Sequence, residues 1–158
     1  IDTGSNSMTG GRVKRLKDCI GNNPFMLTYG DAVSDINIKE LVDFHKAHNK
    51  IGTVTSVRPT ARFGELAITH ENTVESFQEK PQTTQGWING GFFVFEPEFF
   101  DFITDDSTIL EREPLSNLSN QSNLAAFKHS GFWQSMDTVR DRAVLEEICS
   151  EKEIPWLK

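Results

Sequence analysis

The sequence predicts an α/β fold with a mainly parallel sheet, and three stretches predict it. Residues 24–57 read as strand, helix, strand; residues 87–95 form an almost wholly apolar run; and a capped helix follows Thr138. No internal repeat, low-complexity stretch or long linker interrupts the 158 residues, so a single domain over 1–158 is expected.

Taken in order, the apolar run Pro24–Gly30 after the turn-like Gly21-Asn22-Asn23 predicts a buried strand that leaves Asp31 at its carboxyl edge. Ile38, Leu41, Val42 and Phe44 fall at helical spacing, with Asp35 or Asn37 as the cap, and predict a helix ending near Asn49. The β-branched stretch 51–57 predicts the next strand. Beyond the break at Arg58-Pro59-Thr60, segments 65–68 and 73–77 flank the polar His70-Glu71-Asn72 and predict a hairpin. Trp87–Phe95 reads as a buried central strand, with Asn89, Gly90 and Gly91 marking a close approach near its start. Short helices are expected at 96–102 and 111–118, and strands at 124–128 and 131–136. In the last helix Thr138 and Asp141 fit a capping pattern, and Val139, Val144, Leu145 and Ile148 form the apolar set.

Hydrophobic residues at 37% with twelve Phe mark a globular chain rather than a disordered one. A net charge of -7 argues against a nucleic-acid partner, whose binding would rest on many Lys and Arg. No apolar run approaches the roughly 20 residues of a bilayer span and the start lacks a signal-like pattern, so no membrane partner and a cytoplasmic location are expected. Cys19 and Cys149 match no metal or redox spacing and read as two ordinary core cysteines. His45 and His48, at i and i+3, lack further ligands and read as core or solvent-edge histidines. The chain opens at Ile1 and runs at once into Asp2-Thr3-Gly4, which reads like the middle of a domain; a fragment is expected.

Asp31 and Asp137 each sit where a predicted strand meets a loop, the place where ligands gather in open α/β sheets. Two carboxylates meeting there suit one Mg²⁺, which completes its shell with phosphate oxygens and water. Asp is equally at home in a turn or beside a helix cap. Lys80 offers a point charge to a phosphate and Glu79 an acceptor to sugar hydroxyls; the alternative is an exposed ion pair worth at most about 1 kcal/mol. Asn89-Gly90-Gly91 inside an apolar strand costs stability unless it packs closely on backbone or ligand, a bulge being the plain alternative. Thr9-Gly10-Gly11-Arg12 offers N–H groups and a guanidinium to a base edge or phosphate, without the Lys-Ser/Thr of a P-loop. No Gly-x-Ser-x-Gly elbow is present.

The ordered segments MTGGR (8–12), TYGD (28–31), RFGEL (62–66), FQEKP (77–81), WINGGFFVFEPE (87–98), EREPL (111–115) and GFWQSMDTVRD (131–141) together resemble the glucose-1-phosphate cytidylyltransferases of the sugar-nucleotide pyrophosphorylase family. The resemblance covers nearly the whole chain. It implies a Rossmann-like mixed, mainly parallel sheet with flanking helices, incomplete at its N-terminus. It also implies transfer of a cytidylyl group from CTP to glucose 1-phosphate with Mg²⁺, giving CDP-glucose and pyrophosphate for deoxysugar and polysaccharide synthesis, in a homo-oligomer. On this resemblance Asp31 and Asp137 hold the metal and Glu79 and Lys80 meet glucose 1-phosphate. Asn89 and Gly90 line the sugar pocket, Thr138 lies on the substrate side, Arg12 touches phosphate, and Thr9, Gly10 and Gly11 belong to the cytosine pocket.

The chain departs from the pattern at Ala32, where the family has Gly, and at Ser135, where it has Pro. The family's Gly-rich loop with its Arg, and the Lys that follows it, are not among these residues. Little or no cytidylyltransferase activity is therefore expected of this polypeptide alone, together with an unpaired sheet edge or apolar surface that favours self-association.

Overall fold

A computed structural model describes residues 1–59, 65–78 and 86–157. The elements are α1 (Thr9–Lys14), α2 (Lys17–Ile20), β1 (Phe25–Thr28), β2 (Ala32–Ser34), α3 (Ile38–His48), β3 (Gly52–Val57), β4 (Glu65–Ile68), β5 (Val74–Gln78), β6 (Ile88–Phe95), α4 (Glu113–Asn120), β7 (Leu124–Lys128), β8 (Trp133–Ser135) and α5 (Val139–Ser150), with 3₁₀ turns at Pro97–Phe102 and Pro155–Leu157. They divide into two compact units. The first comprises 1–30, 37–55 and 91–127, and the second 31–36, 56–90 and 128–158.

The main sheet has the order β1-β6-β3-β7. β1 pairs antiparallel to β6, from Phe25 opposite Phe95 to Thr28 opposite Phe92. Glu96 N–H donates to Ile51 O, which sets the end of β6 beside the start of β3 and makes that pair antiparallel too. Gly52 N–H bonds Asn123 O and His129 N–H bonds Ser56 O, so β3 and β7 advance together and are parallel. Thus β1, β3 and β7 run one way and β6 runs against them: the sheet is mixed, as expected, but with β6 inserted two of its three strand pairs are antiparallel rather than mainly parallel. The strand, helix, strand unit of 24–57 is present, with β6 inserted between its two strands.

In the first unit the core is aromatic. Phe93, Phe95, Phe99, Phe100, Ile103, Leu110 and Leu118 are buried, and Phe25 and Leu27 of β1 and Tyr29 just after it pack against them. Phe95 and Phe99 stack with centroids 3.8 Å apart, and Phe25 stacks on Phe100 at 5.1 Å. Each fully buried Phe contributes roughly 1.5–3 kcal/mol by leaving water. α3 begins where Asn37 accepts Glu40 N–H and ends at Asn49 in the left-handed conformation, as capping chemistry predicts. It buries Leu41 and His45. His45 bonds Thr53 Oγ1 at 2.8 Å and Glu96 at 3.2 Å, and His48 reaches the same Thr53 hydroxyl at 2.8 Å. Both histidines are therefore structural, as read.

In the second unit the hairpin of β4 and β5 forms as expected, pairing Leu66 with Phe77 and Ile68 with Val74. These four side chains lie 51–63% exposed, an apolar stripe facing solvent. α5 carries the predicted capping box, Thr138 with Asp141. Its apolar set is not a core face: Val139 is 87% exposed and no residue of the helix is buried. The cap and the local i, i+4 pair Arg142–Glu146 add to what the half-buried Leu145 and Ile148 contribute. Cys19 and Cys149 are likewise exposed free thiols rather than core residues. Each sits on an outward helix position, which a single apolar residue without periodic neighbours does not reveal.

Candidate functional site

β2 and β8 form a two-stranded antiparallel ribbon in the second unit, with Ala32 opposite Ser135 and Ser34 opposite Trp133. Pairing continues one step beyond each end, because Met136 N–H donates to Asp31 O and Asp35 N–H to Phe132 O. Residues 31 and 137, more than a hundred apart in sequence, are thereby brought to the same end of one ribbon. Both aspartates are exposed. Asp137 is fixed by Ser135, whose hydroxyl donates to Oδ2 at 2.7 Å. The two departures from the family pattern, Ala32 and Ser135, face each other across this ladder. Ala32 lies in ordinary strand conformation with no positive φ, so its methyl group needs no special backbone angle.

Among the described residues no group of three or more His, Cys, Asp or Glu is placed to hold a metal ion. A Mg²⁺ site needs fewer protein ligands than that: two hard carboxylate oxygens open to solvent fit an ion that keeps waters and takes substrate phosphates.

Asn89 and Gly90 belong to the same unit. Trp133 Nε1 donates to Gly90 O at 2.8 Å, tying the start of β6 to the ribbon that carries Asp137. Gly91 explains the second glycine. At φ +78 a Cβ would come within 2.6 Å of the Tyr29 ring, so this position is set by packing inside the first unit rather than by a ligand. Thr138 lies next to Asp137, and its hydroxyl and N–H both serve the helix cap, with Asp141 N–H and Asp141 Oδ2 as partners. Glu79 and Lys80 lie outside the described residues.

Thr9, Gly10, Gly11 and Arg12 fall in the first unit and form a helical turn rather than a loop of N–H donors. Gly10 and Gly11 both direct N–H to Thr108 O, and a Cβ on Gly11 would sit 2.5 Å from Asp106 O. The glycine pair thus lets α1 press against the 105–109 backbone. Thr9 Oγ1 donates to Glu111 Oε2 at 3.0 Å and accepts Leu110 N–H, while Tyr29 OH donates to Glu111 Oε1 at 2.6 Å. Arg12 is exposed and reaches Thr3 Oγ1 at 3.3 Å. Sequence reasoning did not single out Glu111 as a hub. Its only signal was its place in the EREPL segment.

Sequence reasoning also missed the polar knot at the far end of the ribbon. His129 Nε2 stands 2.9 Å from Asp35 Oδ1 and 3.2 Å from Ser34 Oγ, whose hydroxyl donates to Phe132 O. The contacts link residues nearly a hundred positions apart, which no local pattern announces.

Residues 7–139 match the nucleotidyl transferase family. Over 157 residues, 99% of this chain, the sequence is 49% identical to the glucose-1-phosphate cytidylyltransferase of Salmonella typhimurium. It is 33% identical over 140 residues, 84% of this chain and 39% of the relative, to the mannose-1-phosphate guanyltransferase of Saccharomyces cerevisiae. The crystal structure of HddC from Yersinia pseudotuberculosis superposes with a TM-score of 0.63 over 89% of this chain and 62% of that one, at 20% identity, which speaks to the fold. The chain spans about 61% of the length of the Salmonella relative. With a match over most of its residues, and the mixed sheet already described, the chain belongs to the nucleotidyl transferase family.

Proposed function

We propose that this chain is the sugar-phosphate and metal-binding part of a glucose-1-phosphate cytidylyltransferase, which forms CDP-glucose and pyrophosphate from CTP and glucose 1-phosphate in the cytoplasm. The observation that carries the reading is the ribbon that draws Asp31 and Asp137 to one end. The 49% identity to the Salmonella cytidylyltransferase supports the choice of nucleotide and sugar.

The reaction joins two anions, so it needs their repulsion offset and their reacting atoms aligned. A phosphate oxygen of glucose 1-phosphate attacks the α-phosphorus of CTP and pyrophosphate leaves, with no covalent enzyme intermediate. Asp31 and Asp137 would hold Mg²⁺, which when bound neutralises phosphate oxygens. Ser135 holds the Asp137 carboxylate in one orientation. Asn89 would offer its amide to sugar hydroxyls, with Gly90 holding the strand start against Trp133. Glu79 and Lys80 complete the sugar-phosphate contacts in this reading, and Arg12 with Thr9, Gly10 and Gly11 serves the nucleotide.

The 158 residues contain no Gly-rich loop with its Arg and Lys to hold the triphosphate, so the chain alone is expected to turn over little or not at all. A pyrophosphate-release assay with CTP, glucose 1-phosphate and Mg²⁺ tests this, and turnover at ordinary enzyme rates would contradict it. A second reading, a non-catalytic chain that binds sugar phosphate, predicts calorimetric binding of glucose 1-phosphate without turnover. Competition by dTTP and UTP tests the nucleotide choice. Self-association is part of the proposal, supported by the exposed stripe of Leu66, Ile68, Val74 and Phe77. Sedimentation should show an oligomer that Phe77→Ser weakens.

A further inference from the structure

Three side chains at the strand ends stand apart from the residues assigned so far. Arg58 follows the last residue of β3, Lys128 ends β7, and Trp87 precedes β6. β3 and β7 are adjacent and parallel, so Arg58 and Lys128 mark the carboxyl ends of two neighbouring strands, the position where ligands bind in open α/β sheets. All three belong to the second unit, which also holds Asp31, Asn89 and Asp137.

The Arg58 guanidinium lies 4.5 Å from the centre of the Trp87 ring and the Lys128 ammonium 5.6 Å from the same centre. The two positive charges therefore lie within about 10 Å of each other, roughly a Debye length at ordinary salt, and repel across that gap. Among the described residues Lys128 has no carboxylate partner, in a chain whose net charge is -7. Two cations held near one ring at the carboxyl ends of neighbouring strands place positive charge where ligands bind in such sheets.

We propose that Arg58 and Lys128, gathered on Trp87, form a phosphate-recognising pair for the substrates of the transfer reaction. The pair would add to the assigned sugar-phosphate contacts and strengthen as two like charges gain a shared anion. Phosphate could arrive on the sugar, on the nucleotide or as pyrophosphate. This inference rests on the sugar-phosphate reading above.

The test is calorimetric titration of the chain, with Mg²⁺, by glucose 1-phosphate, CTP, pyrophosphate and glucose. Wild type is compared with Lys128→Gln, Arg58→Gln and Trp87→Phe. The expected result is about tenfold or greater weakening of at least one phosphate-bearing ligand in each Gln variant, with a smaller loss in Trp87→Phe and no change toward glucose. The ligand that weakens identifies the phosphate source. Lys128 is exposed, so Lys128→Gln tests the site without disturbing the fold. Wild-type affinity for all three phosphate ligands in Lys128→Gln and Arg58→Gln overturns this inference and leaves the sugar-phosphate reading standing. If wild type binds none of them, both fail.

Discussion

The two units use apolar side chains in opposite ways. In the first, Phe93, Phe95, Phe99 and Phe100 are at most 1% exposed; Phe95 stacks on both Phe93 and Phe99, and Phe100 stacks on Phe25. In the second, Leu66, Ile68, Val74 and Phe77 of the hairpin lie at least half exposed, and α5 buries no residue. Yet the second unit holds Asp31, Asn89, Asp137, Arg58 and Lys128. The packed aromatic core lies in the first unit, and most of the residues proposed for metal and sugar phosphate lie in the second, Thr9–Arg12 being the exception; binding segments are commonly drawn from the less stable parts of a fold.

This contrast makes graded predictions. The largest effect belongs to Phe95→Ala: Phe95 is fully buried among Phe25, Phe93 and Phe99, and its truncation should cost about 3–5 kcal/mol in denaturant unfolding. A loss under about 1 kcal/mol, within the range of surface changes, would dissolve the contrast.

Next comes pH. Burial holds the His45 imidazole below its usual value, with Glu96 opposing the shift, and burial does the same to His48, aided by the charges of His45 and Lys50. An unfolded chain takes up these protons near pH 6.5 while the folded one resists, so stability should fall as pH drops through that value and return on raising it. Thermal melts across pH 5 to 8 of wild type and His45→Gln measure this. An unchanged slope in the variant would remove His45 from the account.

The smallest effect is in the second unit, where Thr138→Ala removes the α5 capping box and should cost about 1 kcal/mol. Circular dichroism would show whether the helix survives on its cap. If Thr138→Ala proved as damaging as Phe95→Ala, α5 would be held by more than its cap.

Legibility in the sequence follows the same line between local and distant. Asn37 and Thr138 announced their helices because capping is decided within four residues. The apolar run of β6 announced a buried strand, but its place between β1 and β3 depends on pairings with residues about 45 to 70 positions away that carry no local mark. β2, three residues long, was missed altogether, since its partner β8 lies a hundred positions downstream. α1 was missed for another reason: adjacent glycines lower helix propensity, and contact with the 105–109 backbone outweighs that. At the candidate site, Asp31 and Asp137 were legible as residues at strand ends, whereas Ser135 as the support for Asp137 needed the structure.

The central claim is that Asp31 and Asp137 share one divalent ion, and Mn²⁺ binding read by electron paramagnetic resonance in the presence of CDP-glucose tests it most directly. The account predicts one ion per chain, bound about tenfold or more weakly in Asp31→Asn and in Asp137→Asn, with the double variant little worse than either. Equal affinity in wild type and both single variants would contradict it.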